Sequence, residues 1–253
     1  MIKQVQGQHG GAESGRCQSA AHDALPTALA LHGAGGGAWE WACWARSWSA
    51  AGGQFVAADF SRQAAEQNCR ISPLLRNLAE QHRHVVGGVL LGASFGALLA
   101  CALARPLRAA ALVLLNPLPP APFHSIGVQR KDGAEPAPSS MRRWGLTACP
   151  AGTRAALPEL EASESLLAFR RWTDFSRGLL AEARAGIAVE RPDCPVLVVH
   201  SDDDQDIDAG ALEVMVERWQ TAHLRLPGSH VSPLLGKRWS EAYRGVRAWL
   251  AGL

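Results

Sequence analysis

Gly92-Ala93-Ser94-Phe95-Gly96 has the spacing G-x-S-x-G, between an apolar run leading in and an Ala/Leu-rich run leading out. A strand, a sharp turn and a helix would lift the Ser94 hydroxyl above a sheet and make it a candidate nucleophile. A serine hydroxyl is a weak nucleophile until a base takes its proton and a third group orients that base. Two later segments carry those residue types. One is the acidic turn Ser201-Asp202-Asp203-Asp204-Gln205-Asp206-Ile207-Asp208; the other is Pro227-Gly228-Ser229-His230. Each follows a strand-like run, so the order is serine, acid, histidine, with the loops converging at the carboxyl ends of the strands. The residues alone leave the acid open among Asp202, Asp203 and Asp204.

The elements that must position these groups follow from periodicity. Strands are predicted at Ala28–Leu31, Phe55–Ala58, Val85–Leu91, Ala111–Leu115, Val196–His200 and Ala222–Leu226. Helices are predicted at Ala38–Ala51, Pro73–Gln81, Gly96–Ala104, Ala211–Trp219 and Pro233–Leu250, the last with Ser232 as N-cap. Alternation of this kind predicts an α/β fold, a doubly wound and mostly parallel sheet with helices on both faces. Residues 1–26 read as a loose lead-in, and 27–116 with 192–253 as the core. Residues 117–191 read as a helical lid insertion without strand-like runs, with Phe169, Trp172, Phe175 and Leu179 on one helix face from about Ser163 to Ala185.

Composition narrows the classes. The 253 residues are 47% hydrophobic and 19% charged with a net charge of +2, the profile of a globular α/β protein and no argument for nucleic acid. Val85–Ala104 carries no charge and is long enough to span a bilayer, but a strand buried on both faces gives the same apolar run. The polar N-terminus lacks the apolar centre of a signal peptide, so cytoplasmic residence is expected. Six cysteines at 17, 43, 69, 101, 149 and 194 show no C-x-x-C spacing and read as free thiols. The Asp204-x-Asp206-x-Asp208 spacing faintly suggests a calcium loop, but Ala209 and Met215 stand where Gly and Glu would be needed.

Together, Leu31-His32-Gly33-Ala34-Gly35-Gly36-Gly37, the serine elbow, the acidic turn and Gly228-Ser229-His230 resemble the α/β-hydrolase superfamily, and its serine esterases in particular, over residues from about 28 to 250. The resemblance implies a triad of Ser94, Asp204 and His230. It implies an oxyanion hole from the amides of Phe95 and Ala34, with Gly35 as the alternative to Ala34. His32 then shapes its loop rather than acting as base. Cleavage of carboxylic esters, lactones or thioesters follows, with no cofactor or metal. The expected partner is a small hydrophobic ester-type substrate, with no nucleic acid and no membrane, in a pocket that includes Trp39, Phe123, Trp144 and Trp172. The same fold also hosts C–C hydrolases, lyases and non-catalytic receptors. One rival stands apart. Gly33-Ala34-Gly35-Gly36-Gly37-Ala38 also fits the dinucleotide fingerprint G-x-G-x-x-G/A, with Asp59 where a ribose-binding acid would sit.

Overall fold

The computed structural model describes residues 24–125, 141–143 and 149–253. Six strands form one sheet: β1 (Ala28–Leu31), β2 (Phe55–Ala58), β3 (Val89–Ala93), β4 (Ala111–Leu115), β7 (Val196–Ser201) and β8 (Ala222–Leu226). Their order is β2-β1-β3-β4-β7-β8, and every pair is parallel. The chain leaves β1 toward one edge and returns at β3 toward the other. A crevice therefore opens at the carboxyl ends of β1 and β3, where ligands bind in open α/β sheets.

Side chains alternate along each central strand and feed two separate cores. Leu29, Leu31, Leu90, Leu112, Leu114, Val196 and Val198 point to one face. There they meet α2 (Ser61–Ala64), α3 (Ile71–Gln81), α4 (Phe95–Ala104) and α8 (Ala209–Trp219) through Ala64, Leu74, Leu78, Leu98, Leu212 and Met215. Ala28, Ala30, Val89, Leu91, Val113, Leu115, Leu197 and Val199 point to the other face. That face is covered by α1 (Ala42–Ala50) and α9 (Trp239–Leu250), with Trp41, Trp44, Trp48, Tyr243 and Val246 buried. The indoles of Trp44 and Trp48 donate to the carbonyls of Pro233 and Pro26, so these large rings are buried without stranding their N–H groups. The apolar run Val85–Ala104 is thus a buried strand, an elbow and a buried helix. No helix among the described residues is long and apolar enough to cross a membrane.

Several predicted boundaries move for identifiable reasons. The strand predicted from Val85 begins at Val89, because Gly87 adopts φ +81° and a Cβ on Gly88 would lie 2.6 Å from the Thr27 carbonyl. The helix predicted from Ala38 starts with a 3₁₀ turn, Ala38–Trp41. The helix predicted from Pro233 starts at Trp239, because the Ser232 hydroxyl accepts from the Ser229 amide and donates to Glu159 instead of capping a helix. Between β4 and β7 the chain forms an insert with α5 (Pro150–Ala156), α6 (Ala162–Arg171) and α7 (Arg177–Arg184). The absence of strands expected there is corrected: β5 (Met141–Arg143) pairs antiparallel with β6 (Asp174–Ser176), which splits the predicted Ser163–Ala185 helix. A short non-local ladder outweighs the local helical pattern.

The N-terminus of α4 rests directly on β1 and β3. A Cβ on Gly92 would lie 2.5 Å from the Ala97 Cα, and one on Gly96 would lie 2.3 Å from both the Leu31 and His32 carbonyl oxygens. Gly96→Ala must push α4 off β1. We expect a loss of about 1–3 kcal/mol from overpacking. Thermal unfolding should record it as a fall in Tm of about 2–4 °C for each kcal/mol.

Candidate active site

Ser94 links β3 to α4 at φ 52° and ψ −118°, a backbone conformation that a residue with a Cβ adopts only under constraint. The constraint is visible. The Ser94 amide donates to the Leu115 carbonyl, and its own carbonyl accepts from the amides of Ala97 and Leu118. These bonds fix the elbow between β3 and β4 and leave the hydroxyl at the crevice.

His230 lies between β8 and α9, and its Nδ1 is 2.7 Å from Asp204 Oδ2, with both side chains almost fully buried. Asp204 Oδ1 accepts from the amides of Asp206 and Ile207, so both carboxylate oxygens are committed. The neighbouring acids are used elsewhere. Asp202 pairs with Arg225 at the surface, Asp203 accepts from the Gly228 amide, and Asp208 caps α8 through the Ala211 amide. Burial alone would lower the His230 pKa, and this is the largest single influence. The Asp204 hydrogen bond and charge, with Asp206 and Glu40, outweigh it and leave the imidazole above its ordinary value. Asp204, Asp206 and His230 bring ligand-type atoms within 4.8 Å of one another, and both Asp204 oxygens already take part in hydrogen bonds.

Ser94 and His230 line one small cavity of about 30 Å³, together with Gly33, Ala34, Glu40, Ala93, Leu115, Val231, Pro233 and Leu234. Ala34 and Phe95 stand beside it on the loop after β1 and at the first position of α4. Neither amide is taken up in the turn and loop hydrogen bonds of the described residues, as expected at a helix N-terminus. His32 is wholly buried. Its Nδ1 donates to the Gly33 carbonyl, its Nε2 accepts from the Phe60 amide, and its ring stacks on Phe60 at 3.7 Å. Burial lowers its pKa to about 4, so it is a neutral strut of the loop.

Of the predicted pocket aromatics, the three among the described residues do not line this cavity. Phe123 is buried edge-on to Trp219, 5.6 Å away. Trp172 is 2% exposed, packs with Leu157 and Ala168, and donates its indole N–H to Glu40 Oε1 at 2.8 Å. Trp39 packs against the same small cluster under the Arg171 guanidinium. Trp144 lies outside the described residues. The glycines after His32 do not form a dinucleotide cradle either. The Glu40 carboxyl fills the space over Gly36, where a Cβ would lie 2.1 Å from Oε2, and a diphosphate would meet that carboxyl.

Three polar residues without any motif complete the site. Glu40 is the first, a buried carboxyl on the cavity wall. Glu159 in the insert accepts from the Ser232 hydroxyl and the Lys237 amide, and so holds the turn after His230. Asn116, at φ 41°, donates from Nδ2 to Ser201 Oγ and the His230 carbonyl, while its Oδ1 accepts from the Ser201 amide. It ties the acid-bearing strand to the histidine loop. A positive φ at Asn116 was the only signal open to sequence, since Asn tolerates it best among non-glycine residues.

Residues 28–244 match the model of the alpha/beta hydrolase family. The chain belongs to that family. No curated protein matches it. Among solved structures it is similar to tomato methylketone synthase I complexed with 2-tridecanone, with a TM-score of 0.64 at 15% identity over 89% of this chain and 98% of that one. It is also similar to polyneuridine aldehyde esterase, with a TM-score of 0.63 at 14% identity over 88% and 99% of the two chains. A methylesterase from Arabidopsis gives a TM-score of 0.64 at 14% identity over 90% and 100%. At such identities these likenesses speak for the fold, and the chemistry rests on the residues of this chain.

Asn116→Ala would leave the Ser201 amide and the His230 carbonyl buried without their partner. Each orphaned group costs about 1–3 kcal/mol. We expect a clearly lowered Tm and urea midpoint, measured by circular dichroism, with the largest loss of hydrogen-exchange protection at the ends of β7 and β8.

Proposed function

We propose that the protein is a serine hydrolase of small carboxylic esters working through an acyl-enzyme. The observation that carries the reading is the 2.7 Å Asp204–His230 hydrogen bond at a cavity shared with the elbow serine. Ser94 Oγ attacks the ester carbonyl, and His230 Nε2 takes its proton. Asp204 holds the Nδ1–H tautomer and stabilises the imidazolium that forms. The amides of Phe95 and Ala34 receive the developing oxyanion, each contributing on the order of 10²–10³ in rate. His230 then protonates the leaving alcohol. Water, activated by the same imidazole, releases the acid.

The cavity walls suit a compact, apolar substrate. Ala93, Leu115, Val231, Pro233 and Leu234 line them, and the volume admits only one or two water-sized groups. Residues 117–191 serve as the lid in this reading, tied to the site by Trp172, Thr173 and Glu159. The pocket is then walled by short aliphatic residues, and Trp172 braces it from behind.

A fluorophosphonate probe should label Ser94, and Ser94→Ala should abolish both labelling and p-nitrophenyl ester turnover while melting like wild type. Asp204→Asn should lower kcat by on the order of 10⁴ through misorientation of the base. Asp202→Asn and Asp203→Asn should stay close to wild type. Wild-type turnover in Ser94→Ala would overturn the assignment, and a large loss confined to Asp203→Asn would move the acid by one residue.

A further inference from the structure

Glu40 is a buried carboxyl that the triad mechanism does not use. It is 6% exposed and lines the same cavity as Ser94 and His230. Its Oε1 accepts from the Trp172 indole, and its Oε2 has no hydrogen-bond partner among the described residues. An indole N–H is a donor only, so it fixes Oε1 as an acceptor. In the neutral acid the proton therefore resides on Oε2, which becomes an O–H donor with no acceptor among the described residues. Leaving a buried polar oxygen unsatisfied costs free energy, and a ligand oxygen in the cavity would satisfy it.

Charge points the same way. The ester reaction builds an anion on the substrate oxygen, and an ionised carboxylate on the same cavity wall would oppose it in a poorly screened setting. The titratable groups facing Glu40 are Asp59, whose charge disfavours ionisation, and His230, whose charge favours it. The Trp172 indole and the Gly37 amide also favour the ionised form, but burial outweighs them and raises the Glu40 pKa to about 7.

Resting on the hydrolase reading above, we propose that Glu40 is a further catalytic residue: as a neutral acid it donates a hydrogen bond from Oε2 to an oxygen of the ester being cleaved, and its ionisation switches turnover off. The substrates are then uncharged esters rather than ammonium-bearing ones, which an ionised Glu40 would prefer.

The test is the pH dependence of kcat/KM on p-nitrophenyl acetate. Wild type should give a bell. His230 must lose its proton on the acid side, and Glu40 must keep its proton on the alkaline side, the two apparent values belonging to the coupled pair. Above the alkaline limb, activity should fall about tenfold per pH unit. Glu40→Gln keeps a neutral donor at every pH and an acceptor for Trp172. Its alkaline limb should vanish while its acid limb stays in place, because Glu40 is already uncharged where His230 loses its proton. Trp172→Phe removes a bond that favours the ionised form, so its alkaline limb should move to higher pH. A stability readout is independent of turnover. A carboxyl with a raised folded-state pKa takes up a proton on folding between its ordinary range and about 7, so wild-type stability should fall as pH rises through that window. Glu40→Gln should lack this dependence and be the more stable protein at alkaline pH. A wild-type profile that rises to an alkaline plateau, an alkaline limb that persists in Glu40→Gln, or faster turnover of acetylthiocholine than of p-nitrophenyl acetate above the limb would overturn the assignment. Fluorophosphonate labelling of Ser94 keeps the two readings apart. Its absence sinks the hydrolase, whereas its presence with any of those profiles sinks only the role of Glu40.

Discussion

The backbone contact between α4 and the ends of β1 and β3 is the constraint from which the site follows. Gly92 and Gly96 have no side chains, so the helix begins against the carbonyls of Leu31 and His32. That approach leaves a single residue, Ser94, to turn the chain, and the turn requires a positive φ. It also places the first amide of α4 beside the loop that leaves β1. Ser94 and the backbone amides of Ala34 and Phe95, from distant parts of the sequence, thereby become neighbours. The strain at Ser94 is carried by the surrounding hydrogen-bonded backbone, as expected where a functional residue is over-determined by its scaffold.

The parts of this arrangement that were legible in the sequence are local ones. The elbow is five contiguous residues, and the histidine loop follows its strand directly. The sheet strands carry continuous apolar runs because they are buried on both faces. From the residues alone the acid is open among three aspartates, and the family resemblance implies Asp204. Asp204 is set apart by a contact with His230, 26 positions away. Ser232-Pro233 has the composition of a helix start, yet the Ser232 hydroxyl has better partners in Ser229 and Glu159. The stripe Phe169, Trp172, Phe175 and Leu179 fits one helix face, but its members divide between the small insert cluster and the main core, because β6 intervenes. Asn116, Glu159 and Glu40 carried no motif at all, since a lone polar residue acquires a role only through partners that the fold supplies.

The insert illustrates what those partners do. Its own apolar cluster is small, built on Leu157, Ala168 and Trp172. Near the site it is held to the core largely by directed polar bonds: the Trp172 indole to Glu40, the Thr173 amide to the Gly35 carbonyl, Glu159 to Ser232, and the Ser229 hydroxyl to the Ala156 carbonyl. Apolar contact is non-directional, whereas a buried hydrogen bond is satisfied in only one arrangement and costly in others. One of these ties reaches the loop carrying the Ala34 amide, one the 3₁₀ turn that follows it, and two the turn carrying His230. The insert therefore fixes the orientation of both halves of the site. Net stabilisation per bond is modest, about 0.5–1.5 kcal/mol, so the ties specify geometry more than they add stability.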